Sequence, residues 1–160
     1  MYKIKARSCC KLHGCYYFCI DFWWKRSLRS VNIYMMLKNF FIVGFGSFFG
    51  GGFRFFLSKY IQNRFEKSFP FGTFCVNILG CLLIGLFYGL FDHGNIINPD
   101  YMLFLTVGIC GGFTTFSTFM NENFQLFKAA NYFHFSMYII SSVSGGLFAV
   151  YLGHLITKLI

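Results

Sequence analysis

From Leu37 onward the chain alternates long apolar runs with short polar breaks. The first run, Asn39–Phe53, is bounded by Lys38 and Arg54 and continues to about Tyr60. The second, Ser68–Phe91, has 24 residues without a charge, and Pro70 marks its helix start. The third runs from Tyr101 to Asn121, and the fourth, Ala129–Thr157, holds no Lys, Arg, Asp or Glu. A membrane-spanning helix needs about 20 predominantly apolar residues. The pattern therefore predicts an all-α membrane protein with four transmembrane helices and both termini on one side. The four-helix membrane domain is expected over 37–160, with 1–36 standing apart.

The third run is unusual inside. Gly111–Glu122 reads Gly-Gly-Phe-Thr-Thr-Phe-Ser-Thr-Phe-Met-Asn-Glu, a glycine pair followed by the hydroxyls of Thr114, Thr115, Ser117 and Thr118. Glycine weakens a helix, and hydroxyls can bond to backbone and ease a local break. In lipid a broken helix survives only where protein buries it or it lines a watery cavity. The stretch reads as a discontinuous helix whose freed carbonyls and hydroxyls meet an ion. An ordinary helix with small residues for tight packing is the competing reading.

Composition changes the picture in one respect. The 160 residues are 56% hydrophobic and only 12% charged, against about 25% charged in soluble domains. The net charge of +9 is concentrated at one end. Residues 1–36 carry seven of the 14 Lys and Arg against Asp21 alone, while 37–160 carry the other seven against four acids. The basic character thus belongs to an N-terminal extension rather than to a nucleic-acid surface. Translation is expected to start at Met35 or Met36; the alternative is a basic arm lying on an anionic membrane surface. Cys9, Cys10, Cys15, Cys19 and His13 also fall in this segment, but their spacing matches no common zinc pattern. Cys75, Cys81 and Cys110 lie in apolar runs and read as small hydrophobes.

Beyond the extension, Lys38 and Lys158 fall on one membrane face and Lys59, Arg64, Lys67 and Lys128 on the other. That bias is small enough for insertion in either orientation.

The chemistry inside the spans is neutral. Thr73 and Asn77 share a helix face in the second run, and an Asn in a span is expensive without a partner. Tyr138 and Ser142 fall on nearly one stripe of the fourth. Phe116, Phe119 and Glu122 recur at i+3 on one face of the third, Glu122 at its end. Amide and hydroxyl donors suit a small anion, and Phe ring edges carry partial positive charge. Carbonyls released at a break suit a cation. The residues alone reach a small polar or ionic solute at a neutral site. With no nucleophile–base pair or metal-ligand cluster in the spans, an enzyme is not expected.

Three motifs in order then resemble the CrcB/Fluc fluoride channels, over roughly residues 37–158. They are Gly-Gly-Phe-Arg (Gly51–Arg54), Gly-Thr-Phe-Cys-Val-Asn-Ile-Leu-Gly (Gly72–Gly80), and Gly-Gly-Phe-Thr-Thr-Phe-Ser-Thr-Phe (Gly111–Phe119) followed by Glu122. The resemblance implies passive export of fluoride across the plasma (inner) membrane by an antiparallel dual-topology homodimer with two pores. It implies a structural sodium (Na+) at the dimer centre, held by backbone carbonyls that Gly111 and Thr114 would supply. By position, Asn77 would be the pore amide and Phe116 and Phe119 the aromatic pair that meets fluoride edge-on. Tyr138 and Ser142 would form a polar track on the fourth helix, with Thr73 and Thr118 nearby and Glu122 at the pore mouth. One departure stands out. Gly146 follows Ser142 by one turn, where family members often carry another hydroxyl, and Ser144 is on a different face.

The competing transporter class is a four-helix small multidrug/proton antiporter. That chemistry requires an acid in the membrane interior, and the first run has none. A non-transporting membrane subunit, with its polar residues serving only packing, is the third reading.

Overall fold

The computed structural model describes residues 33–65, 68–92 and 98–159. The N-terminal segment 1–32, with its basic residues and its Cys and His positions, lies outside the described residues. Among the described residues there are six α-helical elements and no strand. They are α1 (Ile33–Gln62), α2 (Phe71–Asp92), α3 (Pro99–Leu103), α4 (Gly111–Phe113), α5 (Phe116–Lys128) and α6 (Tyr132–Lys158). A π-helical stretch, Phe104–Cys110, joins α3 to α4. The chain divides into two units between Lys38 and Asn39.

Among the described residues four segments are long and apolar enough to cross a membrane: Ile33–Gln62, Phe71–Asp92, Pro99–Lys128 and Tyr132–Lys158. The chain is a multi-pass membrane protein. At about 1.5 Å per residue even the 22-residue α2 spans the roughly 30 Å hydrocarbon layer.

Lipid tails are as apolar as Leu, so spans associate by close backbone contact rather than by a hydrophobic drive. Small residues provide that contact on two seams. Between α1 and the third span, a Cβ on Gly46 would lie 2.7 Å from the Gly108 Cα and one on Gly50 would strike the Ile109 carbonyl. From the other side, a Cβ on Gly112 would lie 2.7 Å from the Ser47 carbonyl oxygen. The Ser47 hydroxyl donates to the Gly108 carbonyl at 3.3 Å across this seam. Between α2 and α6, Gly85 abuts the Val150 carbonyl and Gly153 abuts that of Leu82.

Two connections, both at the same end of the bundle, are tied down. Pro70 and Phe71 open α2, and the Gln62 side chain bridges the turn before it. Its Nε2 donates to the Phe69 carbonyl at 3.1 Å, and its Oε1 accepts from the Gly72 N–H at 3.0 Å. At the other turn α5 ends in a Schellman motif. Asn131 N–H donates to the Leu126 carbonyl and Ala130 N–H to that of Phe127, with Ala130 left-handed at φ 54°. Asn131 then caps α6, its Oδ1 accepting from the His134 N–H at 3.4 Å.

Candidate functional site

The break in the third span lies later than the glycine pair. Gly111 keeps helical angles, φ −63° and ψ −38°. Gly112 belongs to the same short helical turn, α4. Its missing side chain is what lets Ser47 of α1 approach. The chain leaves the helix instead at Thr114 (φ −84°, ψ 155°) and Thr115 (φ −147°, ψ 115°). Unwinding begins upstream, where the π-helical Phe104–Cys110 has already widened the turn.

Asn77 holds the break. Its Oδ1 accepts from the Thr115 N–H at 2.9 Å and its Nδ2 donates to the Thr115 carbonyl at 3.2 Å. One amide side chain thereby satisfies both backbone groups of a residue that has left the helix, which a buried backbone requires. Asn carries two N–H donors on Nδ2, and one remains beyond this pairing. The Thr115 hydroxyl caps α5, accepting from the Thr118 N–H at 3.2 Å and donating to the Thr118 hydroxyl at 3.0 Å. In a continuous helix Thr115 N–H and Thr118 N–H would donate to the carbonyls of Gly111 and Thr114. Both donors are turned elsewhere, so those two carbonyls lose their helical partners. Thr114 back-bonds its own hydroxyl to the Cys110 carbonyl at 3.0 Å.

One and a half turns along α5, Glu122 gathers the second polar group. Its Oε1 accepts from the Thr73 hydroxyl at 2.7 Å, and its Oε2 accepts from the Tyr138 hydroxyl at 2.8 Å. Three spans therefore meet at one carboxyl. Thr73 and Asn77, one turn apart on α2, both address the third span, as their shared face predicts. Tyr138 is fully buried. Its ring packs edge to face with Phe119 (centroids 4.9 Å, 63°) and with Phe69 (5.2 Å, 74°).

The structure separates Phe116 from Phe119. Their rings stand 6.1 Å apart, yet Phe119 is 8% exposed and Phe116 75% exposed on the protomer surface. Gly111, Ser117 and Asn121 are exposed as well. Ser142 has a buried hydroxyl with no protein partner, one turn beyond Tyr138. Gly146 faces α2, where an added Cβ would come within 3.4 Å of the Cys81 Sγ. The exposed Ser144 donates to the Ile140 carbonyl at 2.6 Å and does not replace a hydroxyl at Gly146. Arg54 is half-buried with an unpartnered Nε.

Two participants escaped the sequence. Phe69 lies in the α1–α2 turn, with nothing in its spacing to tie it to Tyr138, 69 positions later. Asn123 is 2% exposed, its Nδ2 donating to the Phe119 carbonyl at 2.8 Å while its Oδ1 has no partner. A polar residue inside an apolar run is the only signal that could have flagged it. No group of three or more His, Cys, Asp or Glu could hold a metal among the described residues.

Residues 41–154, which contain every site residue above, match the family described as CrcB-like protein, Camphor Resistance (CrcB). The chain is 48% identical over 117 residues to the fluoride-specific ion channel FluC of Phocaeicola vulgatus, covering 73% of this chain and 96% of that protein. It is 42% identical over 123 residues to the FluC of Azobacteroides pseudotrichonymphae, covering 77% and 98%. It is 40% identical over 122 residues to that of Flavobacterium psychrophilum, covering 76% and 98%. A match across all four spans and relatives aligned over nearly their whole length place this chain in the CrcB family.

Proposed function

We propose that this protein is a fluoride-selective ion channel, which lets fluoride leave the cytoplasm across the plasma membrane and so reduces its toxicity. The observation that carries the reading is the convergence of the Thr73 and Tyr138 hydroxyls on one carboxyl, in a chain whose relatives are named fluoride-specific ion channels. Two donors aimed at acceptor oxygens in an apolar surround also suit a small anion. Fluoride is strongly hydrated, and crossing requires protein donors in place of water.

The pathway runs along α2, α5 and α6. Asn77 offers its second N–H, Thr118 and Ser142 offer hydroxyls, and Thr73 and Tyr138 exchange the Glu122 carboxyl for the passing ion. Phe119 and Phe116 present ring edges. An apolar wall with a narrow bore selects fluoride over chloride by size and by hydrogen-bond demand.

The functional unit is an antiparallel, dual-topology homodimer. Supporting this, the exposed side of the broken span carries Gly111, Ser117 and Asn121 beside Phe116, and polar backbone does not face lipid stably. A second copy covers that face. A structural sodium ion fits the same place. Gly111 and Thr114 would hold it through their carbonyls, which have lost their helical donors; neutral oxygens of this kind suit a hard monovalent cation. When bound, the ion supplies a fixed positive charge that favours anions nearby.

Efflux from liposomes carrying the purified protein, followed with fluoride and chloride electrodes, tests the reading. Rapid fluoride loss with little chloride loss is expected. A well-folded protein that releases no fluoride sinks it.

A further inference from the structure

The geometry points to Phe69, in the turn before α2, as a positioning residue for the anion pathway: it holds the Tyr138 phenol so that its hydroxyl reaches Glu122. This rests on the fluoride-channel reading and extends it to a residue outside all four spans.

Tyr138 has one polar atom and a large ring. The hydroxyl is committed to Glu122 at 2.8 Å. The ring is held by its aromatic neighbours, Phe119 at 4.9 Å and Phe69 at 5.2 Å, both edge to face. Phe119 sits on α5 with Glu122, so it cannot by itself fix Tyr138 relative to the other elements. Phe69 comes from a different direction. Its ring also meets Phe71 (4.6 Å), Phe74 (6.1 Å) and His134 (6.4 Å), which joins the start of α2 to the start of α6.

The turn that carries Phe69 is itself fastened. Gln62 at the end of α1 donates to the Phe69 carbonyl and accepts from the Gly72 N–H. Gly72 in turn packs on the Ser58 carbonyl, closely enough that no Cβ fits. A line of contacts therefore runs from Gln62 through Phe69 to Tyr138 and ends on Glu122. An aromatic ring turns about few bonds, so an edge-to-face neighbour restrains its phenol oxygen strongly.

The test is a double-mutant cycle read by fluoride efflux from liposomes. Phe69→Leu is measured in the native background and with Tyr138→Phe, which keeps the ring and removes the hydroxyl to be placed. Phe69→Leu is expected to slow fluoride efflux about three- to tenfold in the native background, the range for one lost edge-on aromatic contact. In the Tyr138→Phe background it should change efflux little, and Phe69→Tyr should restore the native rate. Gln62→Leu, which removes both bonds that fasten the turn, should reproduce the Phe69→Leu loss. An undiminished rate for Phe69→Leu, or the same fractional loss in both backgrounds, overturns the proposal.

A second readout needs no flux. A 3-fluorotyrosine placed at 138 should shift or broaden its fluorine NMR signal in Phe69→Leu, or in Phe69→Met if the leucine variant does not purify as the native protein does. An unchanged signal also overturns the proposal. Absence of fluoride efflux from the native protein would instead strike the channel reading, while the fluorine signal still reports on Phe69.

Discussion

Asn77 carries two tasks that one pair of substitutions pulls apart. It clamps the extended Thr115 through both of its amide atoms, and in the proposed channel it also offers an N–H to fluoride. Asn77→Asp keeps the acceptor for the Thr115 N–H but loses the donor to the Thr115 carbonyl. One buried acceptor left unpaired costs about 1–3 kcal/mol. Asn77→Leu removes both bonds and leaves the N–H and the carbonyl without partners. The same reasoning doubles the cost to about 2–6 kcal/mol, less whatever Thr115 recovers by returning to the Gly111 carbonyl.

Conduction should separate the two variants. A carboxylate roughly 5 Å from a fluoride ion repels it by about 3 kcal/mol at an effective dielectric of about 20, a loss of roughly a hundredfold in rate. Leucine brings no charge. Thermal unfolding in detergent should place both variants below the native protein, Asp through the unpaired carbonyl and its partly buried charge, while fluoride efflux should be lower for Asp than for Leu. Amide hydrogen exchange adds a local check, since Thr115 should stay protected in Asp and lose protection in Leu. An Asp variant that conducts fluoride at the native rate refutes the pathway role. A Leu variant as stable as the native protein refutes the clamp.

Three further outcomes follow from the packing. Gly50→Leu drives a side chain into the Ile109 carbonyl across the α1 seam, and overpacking of this kind costs about 1–3 kcal/mol or more. A lower unfolding midpoint and a loss of folded protein in size-exclusion chromatography are the expected signs. Gly146→Ser should behave oppositely, because its Cβ meets only the Cys81 Sγ at an ordinary 3.4 Å. Replacing a mid-helix glycine gains roughly 0.5–1 kcal/mol, so an unfolding midpoint at or above the native value is expected, and a marked drop would show the site is tighter than it looks. Ala130→Gly relieves a left-handed residue at φ 54°, a conformation that costs about 1–2 kcal/mol for an L-residue. After the extra chain entropy of glycine, a net gain of up to about 1 kcal/mol should raise the unfolding midpoint with fluoride efflux unchanged.

Much of this architecture was legible from one dimension. Span number and approximate ends follow from apolar run length, because the bilayer sets a fixed thickness and admits few backbone solutions. The break in the third span was legible too, to within Gly111–Glu122. Within that stretch the glycines stay helical, and the role of Gly112 is to let Ser47 of α1 approach. Thr114 and Thr115 leave the helix because Asn77, 38 positions away, supplies the bonds that an extended Thr115 needs. Spacing along one helix placed Thr73 with Asn77 and Phe119 with Glu122, since both follow from a local period of 3.6 residues. Tertiary structure alone decided that the Thr73 and Tyr138 hydroxyls meet at Glu122, that Phe119 is buried while Phe116 is exposed, and that Phe69 rests on Tyr138. Those meetings join elements distant in sequence, and their geometry is set by how closely the glycine seams let the spans approach, which no local period encodes.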